Sequence, residues 1–131
     1  MIRKTQTILI VGDRVLIRPD SDSERSKHGL FLPPGVGEAE RVGTGTIVKI
    51  GPGYPVPNPE YTDEEPWGPK REPARYIPLQ AKEGDHALFL RKEAVDVEYN
   101  DERYVIVPQP AILMLVREEL HEDTSLGESG V

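Results

Sequence analysis

The 131-residue sequence has no cysteine. A disulfide framework, a thiolate zinc site and a cysteine nucleophile are therefore excluded. Missing cysteine does not by itself fix the compartment, and a reducing cytoplasm is the default expectation. No apolar run approaches the roughly 18 residues that a membrane span needs. The opening stretch MIRKTQTILIVGDR returns to charge at Asp13 before a signal-peptide hydrophobic region of usual length has formed. Basic charge is in deficit: 16 Lys and Arg against 23 Asp and Glu leave a formal net charge of −7, with a pI near 5.0. A nucleic-acid partner would want the opposite balance, with aromatic side chains studding a basic face.

Catalytic patterns are missing as well. His28, His86 and His121 are far apart, share no ligand spacing such as HxxxH, and read as solvated side chains. There is no GxSxG elbow and no P-loop. GPGYPVP carries glycines, but the prolines behind it cannot open a helix whose N-terminus would hold phosphate. Asp63, Glu64 and Glu65 read as a solvated run in a loop rather than an acid–base pair. No enzyme, metal or cofactor is expected.

What is present is a series of short strand signals. Thirteen prolines and twelve glycines, spread along the chain, argue against long helices. TILI, DRVLIRP, GTGTIVKIG, GDHALFLR, VDVEY, RYVIV and AILMLV are apolar or alternating runs bounded by turn residues. Gly84-Asp85 marks the turn into the fourth of the longer runs, and Asn100-Asp101 suits the positive φ angles of a two-residue hairpin. Many short strands between turns predict one all-β domain, a small irregular antiparallel barrel or sandwich over 1–116.

Two long segments interrupt the strands. The first spans about 19–42. The second spans about 52–80 and holds eight of the thirteen prolines together with Tyr54, Tyr61, Trp67 and Tyr76. Structureless stretches of this length are uncommon in compact domains and are usually functional or disordered. Beyond 117 the chain becomes an acidic tail, expected to be disordered.

Within the first segment, KHGLFLPPGVG places Leu30-Phe31-Leu32 between a polar stretch and a Gly/Pro-rich one. By pattern alone this triplet is either a clipped core strand or a bait for another protein.

Taken in order, several runs resemble the ten-kilodalton co-chaperonins, the GroES-like family. GDRVLIRPD is similar to that family's opening strand DRVLVKP. SKHGLFLPP resembles its loop pattern of a glycine before three apolar residues, and GTGTIVKIGPG its GxVVAVGxG. KEGDHALFLRKEAVDVEYNDERYVIV follows VKxGDxVLFxKYxGTEVKxDGEEYLIV without a gap, and AILMLV resembles DILAVI. The resemblance covers about 9–53 and 81–116. It departs from the family at 54–80, where a short roof hairpin is usual. It departs again at Lys92 and Ala94, where an aromatic and a glycine are often found, and at Gln109-Pro110, where an acidic pair is usual.

The resemblance implies a non-enzymatic lid with a barrel fold and a mobile loop at 19–42. Gly29, Leu30, Phe31, Leu32 and Pro33 would contact a chaperonin of the GroEL type, which itself binds the ATP. Seven copies would form a ring, pairing 7–11 of one copy with 111–116 of the next, and unfolded client proteins would be enclosed beneath it. Two other classes share the strand pattern. One is a small barrel binding nucleic acid or protein; the other is the substrate domain of a zinc alcohol dehydrogenase, opposed by the missing cysteines and the missing dinucleotide-binding half.

Overall fold

The computed structural model describes residues 1–21, 29, 41–59 and 74–122. Eight strands run in chain order: β1 (Arg14–Pro19), β2 (Val42–Ile50), β3 (Tyr54–Pro57), β4 (Ala74–Ile77), β5 (His86–Leu90), β6 (Val95–Tyr99), β7 (Glu102–Pro108) and β8 (Ile112–Val116). Three-residue 3-10 turns, Arg91–Glu93 and Gln109–Ala111, precede β6 and β8. Among the described residues the protein is all-β, as the sequence predicts.

Six strands form one antiparallel sheet in the order β6-β7-β1-β2-β5-β8. The sheet is open, with β6 and β8 as its two edges, rather than closed into a barrel by hydrogen bonds. It is nevertheless curled. β5 and β6 stand four strand spacings apart, about 19 Å if flat. The chain from Leu90 to Val95 makes only five residue steps, at most about 18 Å even fully extended, and part of it is a 3-10 turn. Only a curled sheet lets β5 hand over to β6.

The core lies on one face. Val15 and Ile17 of β1, Ile47 of β2, Phe89 of β5 and Val105 and Val107 of β7 form a single buried cluster with Leu79, Ala81, Ala87 and Ala111. The glycines of GTG belong to β2 because their neighbours leave no room for a side chain. A Cβ at Gly45 would stand 2.4 Å from Ile17 Cγ2 and 2.5 Å from the Arg18 carbonyl oxygen. Asn100 and Asp101 adopt φ of 52° and 64° and join β6 to β7 with Tyr99 opposite Glu102.

Two elements differ from expectation. Residues 7–11 form no strand: β1 is flanked on both sides by β2 and β7, and TILI pairs with neither open edge of the sheet. Leu9 and Val11 are left exposed. Conversely, the proline-rich second segment begins and ends in order, because β3 and β4 pair as a separate two-stranded ribbon. Pro55 and Pro57 occupy alternate positions, so their missing donors point the same way, off the ladder, while Tyr54 and Val56 face Ile77 and Arg75. Trp67 lies outside the described residues, as does the tail beyond 122.

Candidate functional site

The first long segment leaves the sheet after β1 and returns at β2, two hydrogen-bonded neighbours, so both of its stems stand at one end of the sheet. At the outgoing stem the Asp20 N–H donates to the Thr44 carbonyl at 3.0 Å. The Asp20 carboxylate faces the imidazole Nε2 of His86 from β5, and both side chains are 2 % exposed. At the returning stem, Arg91 Nε donates to the Val42 carbonyl at 2.8 Å. Beside the stems, Phe89, Arg91, Asp96 and Arg103 line one cavity with Pro19 and Asp20.

Of the residues singled out in the sequence, Gly29 is described. It is exposed, with φ of +75°, the left-handed region that glycine adopts without penalty. Leu30, Phe31, Leu32 and Pro33 lie outside the described residues. His86 corrects an expectation: it is buried and paired with Asp20, not solvated. Its place is set by β5, where it lies opposite Thr46 on one side and Val116 on the other. The signal available in the sequence was its position inside an apolar run, two residues after a turn glycine. His121 is exposed near Glu119, and His28 is outside the described residues.

A second charged cluster joins the end of the sheet to its middle. Arg117, just past β8, places Nε 2.7 Å from Asp85 Oδ1 and one terminal nitrogen 2.6 Å from Oδ2. That terminal nitrogen also reaches the Gln80 carbonyl at 3.2 Å. Asp85 Oδ2 further accepts the Lys82 N–H at 2.9 Å. The guanidinium beside it, and then the Lys82 bond, outweigh burial and hold the Asp85 carboxyl below the usual carboxylate range. Gln109 makes a third junction, accepting the Ala81 N–H at 2.8 Å and reaching the Tyr54 hydroxyl at the ribbon base, 3.3 Å from its amide nitrogen. No cluster of three or more His, Cys, Asp or Glu suited to a metal is present among the described residues. None of their helices is long and apolar enough to cross a membrane.

Strands β1 to β3 and both stems of the first segment fall within a match, over residues 7–65, to the family described as "Chaperonin 10 Kd subunit". The chain is similar to GroES co-chaperonins. It is 27 % identical over 109 residues to the co-chaperonin GroES of Rhodothermus marinus, covering 83 % of this chain and 91 % of the relative. It is 29 % identical over 106 residues to that of Limosilactobacillus reuteri, covering 81 % and 95 %. To that of Coprothermobacter proteolyticus it is 27 % identical over 109 residues, covering 83 % and 94 %. These relatives indicate a non-enzymatic protein.

Proposed function

We propose that this protein is a co-chaperonin lid. Copies of the chain form a ring that docks on an ATP-bound chaperonin of the GroEL type in the cytoplasm and encloses unfolded polypeptide. The single observation carrying the proposal is that the similarity to GroES proteins extends over more than four-fifths of the chain. The family match takes in the whole first segment and both its stems.

The contact is made by Leu30, Phe31 and Leu32, with Gly29 turning the backbone into the triplet and Pro33 restricting its exit. Burying three such side chains in an apolar groove contributes roughly 1.5–3 kcal/mol each. Ordering even four residues, at about 1–2 kcal/mol of backbone entropy each, offsets most of that. One copy therefore binds weakly, and a ring of seven supplies the remainder through effective concentration. Weak single contacts also let the lid depart when the chaperonin's nucleotide state changes. ATP belongs to the chaperonin, and this chain binds none.

The ring itself has candidate surfaces. β8 presents an unpaired edge with Leu113 and Met114 exposed, while 7–11 is an apolar segment outside the sheet with Leu9 and Val11 exposed. Pairing one copy's 7–11 with the next copy's β8 covers both and protects an edge that otherwise invites aggregation. Such contacts are heterologous, and seven of them close a ring.

The deciding experiment replaces Leu30, Phe31 and Leu32 with serine and measures binding to an ATP-loaded chaperonin alongside thermal unfolding. Loss of binding with an unchanged midpoint supports the lid. Loss of the fold instead would make the triplet core and remove the proposed contact.

A further inference from the structure

We infer that Asp20 and His86 are positioning residues that set the direction in which the chaperonin-binding segment leaves the sheet; this rests on the function proposed above. Past Pro19 the outgoing stem is tied to β2 by the Asp20 N–H, which donates to the Thr44 carbonyl. A bond at the end of a ladder frays readily when nothing backs it. The Asp20 carboxylate supplies the backing. It is buried, sits directly after the last residue of β1, and meets an imidazole held rigidly in the middle strands by neighbours on both sides.

Burying a carboxylate and an imidazole is a poor way to gain stability, since two apolar side chains of similar volume commonly do as well or better. What the polar pair adds is direction. An apolar residue at position 20 packs in many orientations, whereas the carboxylate must meet Nε2. The returning stem is fixed in a comparable way by Arg91 Nε on the Val42 carbonyl. Both pins come from β5 and the turn directly after it, so that one strand sets the geometry of both stems.

The proposal separates direction from stability, and so does its test. The absence of cysteine allows nitroxide labels at Ser26→Cys and Glu102→Cys in the full chain, diluted with unlabelled chain, to report the distance distribution between segment and sheet. The central variant is Asp20→Ala with His86→Leu, which removes the pair while refilling the core. The control is Asp20→Asn, which keeps an acceptor for the imidazole.

The double variant is expected to unfold at or above the wild-type temperature, to broaden the label distances, and to bind ATP-loaded chaperonin roughly tenfold more weakly. Tenfold corresponds to about one additional residue ordered on binding. Asp20→Asn is expected to retain wild-type distances and affinity within about twofold. Wild-type affinity and distances in the double variant overturn the inference, as does a loss of binding that tracks loss of thermal stability in every variant. A wild type that fails to bind chaperonin defeats the lid itself. The distance distributions then still decide whether the pair aims the segment: broadening sustains it and no change overturns it.

Discussion

Arg117 clasps Asp85 with two nearly parallel hydrogen bonds, tying the residue after the edge strand β8 to the turn that opens β5. Bidentate pairing of this kind is directional as well as charged. Because Arg117 depresses the Asp85 pKa in the folded state, the unfolded chain binds the proton more readily. The associated stability is therefore fully present above the ordinary carboxylate range, near pH 4. It is lost as pH falls through the lower folded value. Urea midpoints measured from pH 7 down to pH 3 should fall more steeply for the wild type than for Asp85→Asn over that acid window. At pH 7 the order is fixed too: Asp85→Asn should be the less stable protein.

Gly45→Ala tests the close approach of β1 and β2. Its Cβ meets Ile17 and the Arg18 carbonyl well inside contact distance, and the carbonyl is backbone, so the two strands must part. We expect destabilisation of about 1–3 kcal/mol by chemical denaturation. A neutral result would mean that β2 relaxes freely here.

Gln109→Ala removes the acceptor for the N–H of Ala81, itself fully buried. Leaving that donor unpaired costs about 1–3 kcal/mol. It also frees the Tyr54 hydroxyl at the ribbon base, so hydrogen exchange in β3 and β4 should accelerate more than in β7. Uniform acceleration would show that Gln109 supports the whole sheet rather than the ribbon.

Native mass at tens of micromolar tests the ring. Seven 14.7-kDa subunits give a species near about 103 kDa. Leu113→Lys on the open edge of β8 should shift that species to monomer while leaving the far-ultraviolet circular dichroism unchanged. A wild type that stays monomeric would remove the avidity on which weak single contacts depend.

Much of this arrangement was legible in local chemistry. Asn100-Asp101 announces a two-residue turn because asparagine and aspartate tolerate positive φ, and both adopt it. RVLIRP and RYVIV read as strands from β-branched and apolar content, and they pair with each other through Val15 opposite Val107. His86 was not legible, because whether a histidine in an apolar run is solvated depends on a residue 66 positions away. TILI looks like a strand by composition, yet it joins neither open edge of the sheet, although Gln6 directly before it accepts the Tyr99 hydroxyl at the end of β6. The prolines at 55 and 57 suggested an unstructured stretch, although at alternate positions they leave one side of β3 intact for pairing.

Most of the short strands, the tight turns, the acidic balance and the order of motifs similar to those of GroES proteins follow from the amino-acid sequence alone. Each of these depends on residues close together in the chain. Tertiary structure decided which strands became edges, how far the sheet curled, and which charges were buried together. Asp20 with His86 and Asp85 with Arg117 are pairs that no local pattern announces, because their partners stand 66 and 32 positions apart and meet only when the sheet forms.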